Sequence, residues 1–339
     1  MRAPNQQKKN TFYGAAAILT VSTILVKIIG AIFKIPLIAI LPEEAYGDFN
    51  GAYNIYSFFL TISTAGLPVA LSKTVSECHT LGRENQKHRV FRVAFCAFLF
   101  MGLFSFLCMS VFGQLVATYI IGNEKAVFCV WALAPAVLCT CCCSAFRGYA
   151  QGHGRMTPTA VSQIIEALCK LTVGLGLAYW LVKQGADASH AAAGAITGVT
   201  VGTIVALAYM LMNFLITRGQ EGDLSDDRPD GAAKILKELL MIAVPITISS
   251  SMVGIVTVID SSLVQGQLQR ALLENPDTWA LYQGIVDFTD LEQAMKAWQA
   301  ALPQGSAVTM ALLEQSMAGQ GGQAEAAMAL HTTLEGISR

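Results

Sequence analysis

Lys27 and Lys34 stand seven residues apart inside one long apolar run, and Glu166 and Lys170 stand four apart inside another. An ionised side chain in hydrocarbon is expensive, so such residues mark a pathway, an ion pair or a binding site. Seven residues make close to two helical turns, which puts both lysines on one face with Thr20 and Thr23. Two cations on one face suit a cavity that receives an anion such as a phosphate. The competing reading is snorkelling, in which the stem lies along apolar surface and the ammonium reaches the headgroups. Lys27 is too deep in its run to do this easily, whereas Lys34 lies nearer an end. Glu166 and Lys170, with Ser162 and Gln163 one turn before them, either line a hydrated path or neutralise each other on the helix surface. Arg147 and Arg155 follow the fourth apolar run. They stand on a cytoplasmic rim, where they attract an anionic headgroup or serve only as anchors.

The elements that must position these residues are seven apolar stretches near residues 12–41, 52–75, 93–121, 126–146, 159–182, 191–216 and 239–264. Each is of the order of the ~20 residues that span a hydrocarbon core as helix. Backbone polar groups in lipid must satisfy one another, so these stretches are predicted as helices and the fold as an all-α polytopic bundle. A mean hydropathy of +0.51 and 13% charged residues agree with that class. Basic residues cluster in alternate connections: Arg2, Lys8 and Lys9; Arg83, Lys87, Arg89 and Arg92; Arg147 and Arg155; Arg218, Arg228, Lys234 and Lys237. Short loops rich in Lys and Arg stay cytoplasmic, so the N-terminus is expected inside and the seventh span exits outside. The first apolar run is too long for the core of a signal peptide and is expected to remain as a membrane helix.

Nine cysteines raise the question of disulfides or metal. Cys139, Cys141, Cys142 and Cys143 are clustered, but no histidine shares their helix, and they read as small hydrophobes within a span. No metal site or cofactor is expected, a coupling ion stays open, and no phosphate-binding loop or hydrolase motif suggests covalent catalysis. The predicted organisation is a six-helix lobe over 1–216, a cytoplasmic linker over 217–234, a seventh helix over 235–268, and a polar extracytoplasmic tail over 269–339. Two amphipathic helices are expected in that tail, at residues 290–301 and 307–317.

The string FRGYAQGHGRMTPTAVSQIIE, from Phe146 to Glu166, is the most specific in the chain. Together with GAAAILTVSTILVKIIGAIFKIP and EEAYGDFNGAYNIY near the start, TAGLPVALSKTVSE from Thr64, and PITISSSMVGIVTVIDSSLV in the seventh span, it resembles the bacterial polysaccharide-biosynthesis flippases. These are the proteins similar to stage V sporulation protein B, grouped with MurJ-type lipid II flippases and MATE exporters in the MOP superfamily. The resemblance covers residues 9 to about 268. It implies two helical lobes around a central cavity that opens alternately to each side, with cations holding the diphosphate of a polyprenyl-linked sugar. It places Lys27 where MurJ-type members carry an essential first-helix arginine, and Asp48 where they carry an acidic residue. A second first-helix arginine of that family falls at about Phe33, beside Lys34, and a second-helix arginine falls near the uncharged Thr61. The family has about fourteen helices, so the resemblance implies a single lobe plus one helix here, with an eighth helix expected after the tail.

The expected function is therefore a flippase for an undecaprenyl-diphosphate sugar or a lipid II-like molecule. Lys27, Lys34, Asp48, Glu166 and Lys170 would be substrate-binding, and Arg147 and Arg155 would lie on the cytoplasmic rim. Its partners would be that lipid-linked sugar, the surrounding bilayer, and a second lobe or a second copy, with no nucleic acid. The alternatives are a cation-coupled multidrug exporter, which would need an acidic cavity, or a membrane enzyme acting on lipid-linked sugars. The enzyme would need a catalytic group in the tail, where Asp277, Asp287, Asp290 and Glu292 form no recognisable arrangement.

Overall fold

The computed structural model describes residues 4–118, 126–218, 227–275, 289–302, 308–317 and 322–338. Seven helices are long and apolar enough to cross a bilayer, and no strand occurs among the described residues. The chain divides into two compact units, Met1–Val256 and Thr257–Arg339.

In the first unit, α1 (Pro4–Ile40) is followed by α2 (Glu43–Thr64) and α3 (Leu67–Thr80). The last two make one apolar span, Ala45–Thr80, interrupted at Ala65 and Gly66. Pro68 explains where the chain can restart, because a proline has no N–H to lose in the first turn of a helix. Then come α4 (Glu84–Val111), a single turn α5 (Gly113–Val116), and α6 (Val127–Gly152). The fifth span consists of α7 (Thr157–Cys169), a π-helical turn over Lys170–Gly174, and α8 (Leu175–Lys183). The sixth is α9 (Ala188–Arg218). Of α10 (Ala232–Glu274), residues 232–256 belong to the first unit.

Helix α6 is the centre of this unit, with 61% of its apolar window buried, and it packs against α2, α3, α4 and α9. One core cluster joins Phe33 and Leu37 of α1, Phe49 and Ile55 of α2, Leu133 and Val137 of α6, and Ile196 of α9. A second joins Leu71 and Val75 of α3, Phe91 and Phe98 of α4, Tyr149 of α6, Met210 of α9, and Ile235 and Leu239 of α10. Between these clusters the fifth and sixth spans approach at backbone distance. A Cβ on Gly198 would overlap the backbone of Gly174, and one on Gly202 would lie 2.7 Å from the Glu166 carbonyl oxygen. Small residues that let backbones meet are how helices associate in lipid, where apolar burial gives no advantage. Outward-facing side chains of α1, among them Val21, Ile24, Ile28, Ile35 and Ile38, are exposed and apolar, as a bilayer requires.

The start of α4 is capped from far away in sequence. Its first-turn amides, Asn85 N and Gln86 N, donate to the Asp227 carboxylate at 3.1 and 3.0 Å. Gln86 Nε2 donates to Asp230 at 3.0 Å, and Asp230 N donates back to Gln86 Oε1 at 2.7 Å. The segment between α9 and α10 is thus tied to the connection between α3 and α4. Of the expected linker, residues 219–226 lie outside the described residues.

The second unit has a small core of its own. Leu272 and Leu273 of α10 meet Leu291 and Trp298 of α11 (Thr289–Ala301), Met310 and Leu313 of α12 (Met310–Met317), and Leu330 and Leu334 of α13 (Gly322–Ser338). The two amphipathic helices expected in the tail are α11 and α12, and α13 follows them. Asp277 and Asp287 lie outside the described residues.

Candidate functional site

Four of the residues singled out in the sequence converge on one cavity of about 430 Å³, lined by Lys27, Arg147, Glu166 and Lys170 with Gln163, Tyr53 and Tyr56 among its walls. Lys27 comes from the exposed middle of α1, Tyr53 and Tyr56 from α2, Arg147 from α6, and Glu166 from α7. The three cations are thus carried by α1, by α6 and by the π-turn that follows α7.

Arg147 is held on two sides. Its Nη2 donates to Glu166 Oε2 at 2.9 Å, and its Nε donates to Ser162 Oγ at 2.9 Å. Ser162 in turn donates to the Thr159 carbonyl at 2.8 Å, so its lone pairs face the guanidinium. The Arg147 side chain is 12% exposed and that of Glu166 27%, so of the two residues that line the cavity the carboxylate is the more exposed. Lys170 sits over two ring faces, with its Nζ 4.4 Å from the centroid of Tyr53 and 4.9 Å from that of Phe33. Such cation–π contacts hold an ammonium by its charge while leaving its donors able to turn elsewhere. It begins a π-helical turn, a departure from α-geometry that often marks a functional position. Tyr56 is buried and its hydroxyl is 3.5 Å from that of Thr140.

The other expected residues fall elsewhere. Lys34 is exposed on α1 and does not line the cavity. The helix face is right, but two turns separate the lysines, and the fully packed Phe33, with Lys170 over its ring, closes the cavity before Lys34 is reached. Asp48 is completely buried in α2 and accepts from Ser189 Oγ at 2.8 Å, which joins the starts of α2 and α9 in the core. Arg155 donates to Thr217 Oγ1 at 2.9 Å and stands apart from the cavity, at the far ends of α6 and α9. Arg147 moves the other way: it lies inside the cavity, not on its rim. The expected fourth span ended at Phe146 because the charge lowers the hydropathy there, but α6 continues to Gly152. A guanidinium neutralised by Glu166 no longer needs the aqueous end of a helix. The mutual Glu166–Lys170 pair is likewise replaced by this Arg147–Glu166 bridge.

Tyr53 and Tyr56 were not foreseen as site residues. Aromatic side chains in an apolar run look like core, and only the spacing of Tyr46, Phe49, Tyr53 and Tyr56 along one helix face could have drawn notice. Those four rings form a ladder with centroids 6.3, 5.9 and 5.7 Å apart. A larger space of about 860 Å³, walled by side chains such as Val93, Phe100, Leu240 and Val244, has Arg92 as its one charged lining residue. Size does not decide here, since those apolar walls offer little to hold a polar solute, whereas the smaller cavity has four charged side chains. The clustered cysteines are packed into α6, and among the described residues no three His, Cys, Asp or Glu side chains are placed to hold a metal.

A family model described as polysaccharide biosynthesis protein matches residues 14–289. The uncharacterised membrane protein YabM of Bacillus subtilis is 26% identical over 75% of this chain and 47% of its own length. The lipid II flippase MurJ of the same organism is 27% identical over 49% of this chain and 32% of its own. Stage V sporulation protein B is 25% identical over 61% of this chain and 39% of its own. The chain therefore spans less than half the length of these curated relatives. Among solved structures, a MOP superfamily transporter from Pyrococcus furiosus superposes with a TM-score of 0.52 at 13% identity, over 96% of this chain and 63% of that one. A MATE protein in complex with MaD3S superposes with a TM-score of 0.54 at 12% identity, over 96% and 65%. At such identities the likeness is one of fold.

Proposed function

Because the chain belongs to the polysaccharide biosynthesis protein family, we propose that it supplies the N-terminal lobe of a flippase for polyprenyl-diphosphate-linked sugars. The observation that carries this reading is the meeting of Lys27, Arg147 and Lys170 in one cavity among membrane-spanning helices. Three cations against one carboxylate leave the site with an excess of positive charge, and the ligand that balances it is an anion. A diphosphate joined to a lipid and a sugar carries two negative charges in a compact group. Tyr53 and Tyr56 beside the cations offer ring faces and hydroxyls to the first sugar. The polyprenyl tail stays in the bilayer while the headgroup crosses by alternating access against a second lobe or a second copy. The name of one relative, a lipid II flippase, supports the same class of cargo.

The N-terminus and the connection between α3 and α4 face the cytoplasm in this proposal, as their Lys and Arg content favours. Export of organic cations fits less well, since the one carboxylate lining the cavity is already taken by Arg147. The test is complementation by a full-length relative carrying this lobe. Lys27→Ala should abolish it and Lys27→Arg should retain part of it, at equal membrane expression. Wild-type complementation by Lys27→Ala would overturn the proposal.

A further inference from the structure

The cavity holds an anion of its own. Arg147 directs Nη2 to Glu166 and Nε to Ser162, so the Nε–Nη2 edge of its guanidinium, one that could grip a phosphate, is taken by side chains of α7. Glu166 takes one donor of that edge and Ser162 the other, so a diphosphate that grips the edge by the two-point geometry phosphate prefers would displace both. Glu166 is the more exposed partner and reaches the cavity surface. A displaced carboxylate would be costly in lipid without a second cation. That cation stands one turn further along: Lys170 is four residues on, lines the same cavity, and is held by ring faces. The i, i+4 spacing lets a carboxylate and an ammonium meet on a helix surface.

We propose that Glu166 is a movable counter-ion, bound to Arg147 when the cavity is empty and handed to Lys170 when an anionic diphosphate takes its place. This rests on the anion-binding reading of the cavity and adds a positioning role that the reading does not require. The exchange changes which helices are tied together. Empty, the ionic link runs from α6 to α7. Occupied, it runs from α6 through the headgroup to Lys27 on α1, while Glu166 and Lys170 pair within their own span. Ligand entry would therefore loosen one inter-helix bridge and make another, which gives the site a way to sense occupancy.

The full 339-residue chain in lipid nanodiscs, titrated with inorganic pyrophosphate by calorimetry, tests this. Glu166→Gln keeps a hydrogen-bond acceptor for Arg147 and removes the competing charge, so it should tighten pyrophosphate binding about tenfold, the loss of one charge-assisted contact from the competitor. Glu166→Asp keeps the charge but shortens the reach, and should give an affinity between the two. It serves as the measurement if the glutamine variant does not fold. If Glu166 only holds Arg147 in position, both variants bind more weakly than wild type, and the exchange is overturned. Equal affinities for all three proteins overturn it as well. No pyrophosphate binding by the wild-type chain would instead sink the anion-binding reading on which the exchange rests.

Discussion

At the scale of single residues, the bridge between Arg147 and Glu166 is the feature with the clearest energetic signature. Removing one member of a buried ion pair leaves the other uncompensated and destabilises by about 3–5 kcal/mol, whereas replacing both with apolar residues is often close to neutral. This pair is part-buried, so Arg147→Met alone should lower stability by less than that, about 2 kcal/mol, and the double change with Glu166→Met should recover most of it. Reversible unfolding in mixed detergent micelles measures both. Losses that simply add would mean that the two side chains are not coupled. The sequence made Lys27, Glu166 and Lys170 conspicuous, because charge inside an apolar run has few explanations. It did not reveal which charges meet. Arg147 read as the end of a span, since hydropathy treats every arginine alike and knows nothing of a partner nineteen residues on.

At the scale of elements, the connection between α9 and α10 ends a helix that it does not belong to. An N-terminal turn leaves amides without partners, and a side chain acceptor from the preceding residue normally meets them. Here Arg83 precedes α4 and makes no such bond, and Asp227 supplies the carboxylate instead. Asp227→Ala should cost about 1 kcal/mol, the usual loss for a capping side chain, and should raise amide exchange at Asn85 and Gln86 ahead of the rest of α4. Unchanged exchange at those two amides would refute the capping role. The neighbouring Asp230 is held below the usual carboxylate range by its hydrogen bond to Lys234. Its contribution is present above the ordinary aspartate pKa and is lost as pH falls through the lowered value, so this tie weakens only in strong acid. Helix existence and order were legible from hydropathy. The break at Gly66 was marked locally by Gly66 and Pro68, but the π-turn at Lys170 and the distant cap were not legible, because each depends on a neighbour that no local window contains.

At the scale of the whole molecule, the alternation of basic connections gives an orientation that can be measured. Thr80 is exposed at the end of α3, beside the basic connection. On a cysteine-free background, Thr80→Cys should resist an impermeant thiol reagent in intact cells and react once the membrane is opened; labelling in intact cells would reverse the proposed topology. The seven spans and the all-α class were readable because a bilayer imposes length and composition on every segment that crosses it. Placement of the cavity was readable only in part, because helix periodicity fixes a face and packing fixes the depth along it. The glycine contacts between the fifth and sixth spans carry a different kind of consequence. Gly198 and Gly202 touch the backbone directly behind Glu166 and Lys170, so a single methyl group at either would push that wall into the cavity. One base change turns a glycine codon into an alanine codon. A deep mutational map of this protein should thus show a stripe of intolerance along α9 as dark as the charged residues of the cavity, at positions that do not line it.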